Sequence, residues 1–483
     1  MPESDLKNKT AKGLFWGGIG SGVQQLASVL FGIILARLLT QEDYGMIGVL
    51  AVFMGVAQTA VEGGFTVCLI NKKEVRHEDY NSVFWFNFGL GLCLYALFFF
   101  CAPLIARFYN DQSLIELSRV LFLWFLFGSL GTAHYALLIK KMKVKERAII
   151  DMVSLSISSI IGIIIVLKGY GYWGLAIQTV LHSLIATIFR WHYSSWHPTL
   201  SFRFSPLKEM LPVSIMLVLT GFIAQINANI LSVFLGRIDN SKHQVGDYYQ
   251  AYKWSNMGSL FITNIIQGVA QPVLVETEGD LVRQQNVFRK ILRFTAFISF
   301  PAMLGLAFIS EELIVILITE KWLASIAIMQ LLCVWGAFFP INNLYIQLLF
   351  SHGKTKIYLF VTLLLGLMQI LSLACTHSYG ILVIVKMFIC INFLFLLVWH
   401  YFANKLIHIR FIHFLKDTMP FFFISCIIFC VCYFISLPIE NIYLKLIVKI
   451  VISVSGYILI MWKTDSVIFK EAMQYFIKKE VKP

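Results

Sequence analysis

The stretch LARLLTQEDYG, residues 35–45, is a short polar interruption between two long apolar runs. It places Arg37, Glu42 and Asp43 close together in a chain that is 58% hydrophobic. A turn between two membrane-spanning helices has this composition, because its charges lie at the membrane surface while the flanking runs cross the lipid. The stretch therefore predicts a helix–turn–helix unit, and the rest of the chain can be divided in the same way.

The composition indicates a membrane protein. Charged residues make up 13% of the chain, against about 25% in soluble proteins, and the mean hydropathy is +0.77. Runs such as 89–106, 149–167 and 419–437 have about the length of a bilayer-spanning helix, roughly 20 residues. Because lipid offers the backbone no hydrogen-bond partner, such runs are predicted to be helices. The fold class is therefore an all-α polytopic membrane protein.

The distribution of positive charge predicts the orientation in the membrane. Of the 39 lysines and arginines, 28 fall in the N-tail, the even-numbered loops and the C-tail when Arg190 and Arg293 at the adjoining span ends are counted with them, which makes that side cytoplasmic. The net charge of +13 is thus explained by the topology and by contact with anionic lipids. No nucleic-acid partner is expected. About fourteen spans are predicted: 13–36, 44–69, 82–106, 117–139, 148–167, 172–190, 211–235, 248–275, 291–310, 323–350, 357–375, 379–401, 419–437 and 442–462.

The polar turn of the opening stretch recurs later in the chain. Arg37 followed by Asp43-Tyr44 is matched by Arg237 followed by Asp247-Tyr248, and each pair joins two apolar runs. The match predicts two six-helix bundles related by a parallel repeat, with a central site between them. Asp43 and Asp247 are expected to cap the helices that follow. The predicted domains are an N-tail (1–12), a first bundle (13–190), a linker (191–210), a second bundle (211–402), two accessory helices (419–462) and a C-tail (463–483).

Four segments carry a family resemblance: TAKGLFWGGIGSG (10–22), FGIILARLLTQEDYGMIGVL (31–50), 81–111 and 289–322. They resemble the polysaccharide-transporter branch of the multidrug/oligosaccharidyl-lipid/polysaccharide flippase superfamily, of the O-antigen, colanic-acid or teichuronic-acid exporter type. The resemblance implies two bundles around a central cavity in the bacterial cytoplasmic (inner) membrane. It also implies alternating access that moves undecaprenyl-pyrophosphate-linked oligosaccharide to the outer leaflet for surface polysaccharide synthesis.

The expected partners follow from this resemblance. They are the lipid-linked oligosaccharide and membrane lipids, with the protein acting as a monomer. Whether polysaccharide polymerases and glycosyltransferases bind it, and which sugars it carries, stays open.

Polar side chains on the predicted spans are the candidate substrate ligands. A pyrophosphate calls for cations and sugars call for amides, both on helix faces turned away from lipid. Span 248–275 shows the clearest stripe. Hydrogen bonding between helices, about 0.6 kcal/mol for each pair, is the alternative for the amides, and contact with headgroups is the alternative for Arg37. The candidates are Lys253, Asn256, Asn264, Gln267 and Gln271 in that span, and Gln24, Gln25, Arg37, Gln58, Gln225, Asn229, Asn342 and Gln347 elsewhere.

One carboxylate, Glu62, is expected to lie alone within an apolar span. Such a group can bind H⁺ or Na⁺ and couple transport to an ion gradient, or it can form an ion pair. No other cofactor and no metal are expected, since the nine cysteines lie mostly in apolar runs without metal-ligand spacing. Lys386, Lys445 and Lys449 are expected to extend to the outer headgroups.

Two other functions fit parts of this pattern. A multidrug/cation antiporter shares the fold but usually needs twelve helices and acidic cavity residues. A membrane enzyme, such as a polysaccharide polymerase or ligase, would need a large outer loop. The longest predicted loop, about 191–210, is too short to fold as a catalytic domain, so no enzymatic activity is expected.

Overall fold

The computed structural model describes residues 22–62, 64–72, 74–238, 242–464 and 468–470, with the side chains of 62, 268, 269, 271 and 272 left undescribed. All regular structure in these residues is helical, which confirms the all-α fold class. Residue contacts divide the chain into two compact units, Met1–Gly246 and Asp247–Pro483. The helix Ser205–Ile238, which the repeat assigns to the second bundle, belongs to the first unit, and the bundle boundaries stay predictions.

The first unit is built from ten helices within the described residues. They are α1 (Gly22–Leu38), α2 (Gln41–Glu62), α3 (Phe65–Asn71), α4 (His77–Tyr109), α5 (Leu114–Leu121), α6 (Leu123–Ser129), α7 (Thr132–Lys140), α8 (Val144–Leu167), α9 (Trp173–Tyr193) and α10 (Ser205–Ile238).

Helix α11 (His243–Glu276) begins just before the unit boundary and continues into the second unit. It is followed by α12 (Leu281–Phe308), α13 (Ser310–Ile318), α14 (Leu323–Ser351), α15 (Thr355–Thr376), α16 (Ile381–Ile407), α17 (Phe411–Ser436) and α18 (Ile442–Lys463).

In the described residues, ten helices are long and apolar enough to cross a membrane, or eleven if the bent segment Leu114–Lys140 is one span. The chain is therefore a multi-pass membrane protein. Helices α9 and α11 overlap predicted spans but fall outside this set, and the described part of α1 is shorter than a full span. The count of fourteen spans stays a prediction.

The polar turn between α1 and α2 caps α2, but the N-cap residue is Thr40 rather than the predicted Asp43. Thr40 precedes the helix, and Asp43 reaches back to it, with the Thr40 backbone N donating to Asp43 Oδ2 at 2.9 Å. The Asp43 backbone N donates in return to Thr40 Oγ1 at 3.2 Å. Asp43 is thus the partner in a capping box and Thr40 is the N-cap. Asp247 lies about one turn inside α11, which begins at His243, so it does not cap that helix either.

The other oxygen of Asp43 links the turn to the rest of the unit. Asp43 Oδ1 accepts a hydrogen bond from the backbone N of Tyr172, in the turn between α8 and α9, at 2.8 Å. The quoted stretch therefore ends one helix, caps the next and fastens a third turn of the chain. The Asp43 carboxylate does the last two of these, because its two oxygens accept hydrogen bonds from different segments.

Small residues let the long helices of the first unit approach closely. A Cβ at Gly221 of α10 would lie 2.3 Å from Thr59 Cγ2 of α2, and a Cβ at Gly174 of α9 would lie 2.8 Å from the Gly162 carbonyl of α8. A larger residue would meet the Thr59 side chain at the first position and the backbone of α8 at the second. This packing is typical of helices that associate in lipid, where the hydrophobic effect does not drive helices together.

The segment α5–α7 is a broken span. Leu114–Ser129 and Thr132–Lys140 meet at an angle of 44°. Three side chains on one face of α9 donate to carbonyls near the break: Ser183 Oγ to Trp124 at 2.7 Å, Thr187 Oγ1 to Phe127 at 2.9 Å and Trp191 Nε1 to Leu130 at 2.8 Å. These donors replace hydrogen bonds that an unbroken helix would make within itself.

In the second unit, α12 packs against α14 and α17. Arg289 of α12 forms a bidentate pair with Asp417 of α17, with Nε–Oδ2 at 2.6 Å and Nη2–Oδ1 at 3.0 Å. Asp417 is 4% exposed and lies inside its helix, because α17 begins at Phe411 rather than at residue 419. The expectation that Glu62 alone is a carboxylate within an apolar span is therefore wrong.

A second buried pair joins α13 to α18. Lys449 Nζ lies 2.6 Å from Glu312 Oε1, and Lys445 Nζ lies 3.5 Å from the same oxygen. Glu312 is 1% exposed and Lys449 is 4% exposed. The expected extension of Lys449 to the headgroups is thus wrong, because a buried carboxylate compensates its charge. Together, the two pairs fasten α17 and α18 to the helices before them.

We expect Asp417→Asn to destabilise the protein by about 1.5–3 kcal/mol, the range for hydrogen bonds between charged groups. The thermal unfolding midpoint of the purified protein in detergent measures this. Lys416→Gln is the matched control, because it removes a charge from the neighbouring exposed position and should leave the midpoint unchanged. Equal midpoints for the two variants would show that the pair does not fasten α17.

We expect Thr187→Val to destabilise the protein by about 1–3 kcal/mol, because the Phe127 carbonyl near the break loses its donor. Thr179→Val is the control on the same helix, since the Thr179 hydroxyl donates to Leu175 within α9 at 2.8 Å. Thermal unfolding of both variants gives the comparison. A loss in Thr179→Val as large as that in Thr187→Val would count against a special role for the break.

Candidate functional site

The polar stripe predicted on span 248–275 lies on α11. Lys253 and Asn256 are half-buried and Asn264 is exposed. Within the described part of the chain, Lys253 forms no ion pair and no hydrogen bond, although burial removes much of its contact with solvent. A half-buried ammonium without a carboxylate partner is costly in a membrane span, about 2.5–3.5 kcal/mol at the centre of the bilayer. This cation is therefore available to an anionic ligand.

An amide cluster joins α11 to α14. Gln267 Nε2 donates to Asn343 Oδ1 at 2.7 Å, and Gln347 Nε2 donates to the same oxygen at 3.3 Å. Gln347 is buried, and its Oε1 accepts no hydrogen bond from the described residues. The structure thus brings Gln267 and Gln347 together through Asn343 by a hydrogen bond between helices, the alternative to a substrate site, and it leaves one buried amide oxygen without a donor. Their role as substrate ligands stays a prediction.

The hub of this cluster, Asn343, was not among the predicted ligands, whereas its neighbour Asn342 was. Asn342 is half-buried and lies outside the cluster. Two adjacent asparagines look equivalent in a sequence, and only the rotation of α14 selects one of them. Gln271, predicted on the same stripe, has a side chain outside the described ones.

In the first unit, Gln225 and Asn229 of α10 form a pair of their own. Asn229 Nδ2 donates to the Gln225 carbonyl at 2.9 Å and to its side-chain Oε1 at 3.3 Å. Gln225 Oε1 also lies against α2, where a Cβ at Gly55 would be 2.5 Å away. These hydrogen bonds lie within α10 rather than between helices, and only Gln225 is placed against a second helix, so both amides stay predicted ligands.

The remaining predicted ligands of the first unit lie on α1 and α2. Gln24 is half-buried, whereas Gln25 and Arg37 are exposed on α1. Gln58 of α2 lines a cavity of 320 Å³ together with residues of α6, α7 and α9. The side chain of Glu62 lies outside the described ones, so the ion-coupling candidate stays a prediction.

The cavity beside Gln58 contains residues that the sequence analysis missed. They include Tyr135, His182 and Arg190, which are contributed by α7 and α9. The available signal was the spacing Ser183, Thr187, Trp191, which marks the face of α9 turned to the broken span. In the described residues, no group of three or more His, Cys, Asp or Glu side chains is placed to hold a metal ion.

Comparison with known proteins agrees with this architecture. A family described as "Polysaccharide biosynthesis protein" matches residues 34–327. The chain is 25% identical to the lipopolysaccharide biosynthesis protein WzxC of Escherichia coli (strain K12), over 73% of this chain and 72% of that protein. It is 24% identical to the teichuronic acid biosynthesis protein TuaB of Bacillus subtilis (strain 168), over 83% of each.

Two solved structures share the fold. The lipid II flippase MurJ, in an inward closed conformation, superimposes with a TM-score of 0.73 at 16% identity, covering 95% of this chain and 99% of that one. An inward-facing multidrug resistance transporter of the MATE family, in the MOP superfamily, gives a TM-score of 0.66 at 18% identity, covering 80% and 94%. Since the family match spans more than half of the residues, the chain belongs to the polysaccharide biosynthesis protein family, on a fold shared with these transporters.

Proposed function

We propose that the chain moves lipid-linked oligosaccharide units across the bacterial cytoplasmic membrane for surface polysaccharide synthesis. Its family membership and its sequence relatives in lipopolysaccharide and teichuronic acid biosynthesis support this function. The likeness to a lipid II flippase supports a transporter, rather than an enzyme, as the class of protein.

The observation that carries the proposal is the combination of Lys253 with the amide cluster. Lys253 is a half-buried cation for which the described residues provide no counter-charge. A phosphate group would supply that charge. The amide cluster lies 14 residues further along α11, about 21 Å at 1.5 Å per residue. Its Gln347 Oε1 atom is buried without a donor, and a sugar hydroxyl would supply one once the two helices part. A phosphate and a sugar on one molecule describe a lipid-linked oligosaccharide.

The orientation and the energy source are part of the proposal. The lysine and arginine distribution supports both termini on the cytoplasmic side, so substrate would enter from the inner leaflet. An H⁺ or Na⁺ gradient would drive the alternating exposure of the site, with Glu62 as the candidate ion-binding group.

The decisive experiment reconstitutes the purified protein in liposomes with a fluorescent undecaprenyl-pyrophosphate oligosaccharide and measures its transfer between leaflets by dithionite quenching. We expect Lys253→Gln to slow transfer roughly 10-fold or more, as the loss of a charged hydrogen bond predicts. Lys386→Gln is the matched control, since Lys386 is an exposed lysine within another helix and should leave the rate unchanged.

Other outcomes of this experiment separate the alternatives. If wild-type protein transferred the substrate no faster than empty liposomes and exported a cationic dye, the function would be that of a multidrug antiporter rather than a flippase. Normal transfer by Lys253→Gln would leave the flippase function supported and would show that Lys253 does not bind the substrate.

We expect Glu62→Gln to abolish the dependence of transfer on an imposed ion gradient, because an amide cannot exchange a proton or balance a sodium ion. Transfer is measured with a pH gradient, a sodium gradient and no gradient. Glu74→Gln is the control, since Glu74 is an exposed carboxylate between α3 and α4. Unchanged gradient dependence in Glu62→Gln would exclude this residue as the coupling group.

A further inference from the structure

The cavity beside the broken span is distinct from the amide cluster on α11 and α14. It is lined from α6 and α7 by residues such as Trp124, Thr132 and Tyr135, and from α9 by His182 and Arg190. Its volume of 320 Å³ lies at the lower end of the range for small-molecule sites, about 300–1,000 Å³. Interrupted helices in membrane proteins are tolerated where the freed backbone is buried in protein or lines a cavity, and transporters place their binding sites at such breaks.

Two guanidinium groups lie against the ring of Tyr135, and one of them, that of Arg190, lines the cavity itself. The Arg190 guanidinium carbon lies 4.9 Å from the centre of the Tyr135 ring, and that of Arg147 lies 5.1 Å from the same centre. Arg147 Nη2 also donates to the Tyr135 hydroxyl at 3.3 Å. The ring attracts both cations, but it cannot neutralise them.

The described residues offer these two arginines no carboxylate partner. The Arg190 side chain forms neither a hydrogen bond nor an ion pair in the described part of the chain, and Arg147 Nε is buried without an acceptor. Asp151 of α8, whose charge acts on His182, forms an ion pair with neither arginine. A cation without a counter-charge at the cavity wall carries an electrostatic cost that a bound anion would remove.

We infer that this cavity is an oxyanion-binding site that accepts a carboxylate or a phosphate group. The planar fork of Arg190 matches either group with two parallel hydrogen bonds. Trp124 lines the same cavity and offers the flat apolar surface on which a sugar ring packs. If the proposed transport function holds, the source is either an acidic sugar of the cargo or the phosphate of its lipid carrier.

The test measures binding to the purified full-length protein, so that it does not depend on transport. Sodium glucuronate and sodium phosphate are titrated separately, with glucose in sodium chloride at equal ionic strength as the neutral control. Binding is read from the thermal unfolding midpoint and from tryptophan fluorescence. We expect an anion to raise the midpoint and to change the fluorescence, with the fluorescence change reduced in Trp124→Phe.

Three variants locate the effect. We expect Arg190→Gln to weaken binding at least 10-fold, and Arg190→Lys to weaken it several-fold while preserving the charge and the fold. Lys141→Gln is the matched control, because it removes a cation near the same ends of the helices, where Lys141 Nζ donates to Ser195 at 2.7 Å outside the cavity. It should bind as the wild type does.

Each result decides one point. Binding of glucuronate alone identifies an acidic sugar as the ligand, and binding of phosphate alone identifies the carrier. No difference between the anions and glucose would overturn the inference. The inference would also be overturned if both Arg190 variants bound the anion as the wild type does, or if Lys141→Gln lost binding as well. Because failure of transport leaves this assay unaffected, the two proposals fail separately.

Discussion

The three hydrogen bonds from α9 to the broken span α5–α7 are the constraint on which the first unit depends. A carbonyl without a donor costs several kcal/mol inside a membrane, so a span can bend by 44° only where another helix supplies the donors. Ser183, Thr187 and Trp191 supply them from one face of α9. The bend thus depends on polar side chains of a neighbouring helix, and the cavity lies where the two meet.

Charged groups in the helices fall into two kinds that differ in their partners. Asp417 with Arg289, and Glu312 with Lys449, are compensated across helix pairs and fasten α17 and α18. Lys253 and Arg190 receive no carboxylate from the described residues. Because an uncompensated cation weakens the folded protein, its retention is explained better by a ligand than by stability. Pairing, rather than burial alone, separates the structural charges from the candidate binding groups.

Hydropathy and charge bias were sufficient to predict the class of fold, since a helix satisfies its own backbone hydrogen bonds in lipid, where no water is available. The stripe on α11 was also visible, because amide spacing follows the helical period. The partners across helices were not predictable. Glu312 and Lys449 lie far apart in the chain and look like separate surface charges, and Asn343 differs from Asn342 only by helix rotation. The break near Gly128 and Gly131 was missed because glycine suits both tight packing and a bend.

The shared fold leaves the cargo undecided, since a lipid II flippase and a multidrug transporter both superimpose on this chain. Electrostatics discriminates where the fold does not. A transporter of cations needs carboxylates in its sites, because a bound cation requires a counter-charge in a medium of low dielectric constant. Here the uncompensated groups described at both candidate sites are cations, a lysine on α11 and two arginines around Tyr135. Each unit therefore presents an uncompensated positive charge, which an anionic cargo would compensate and a cationic one would not.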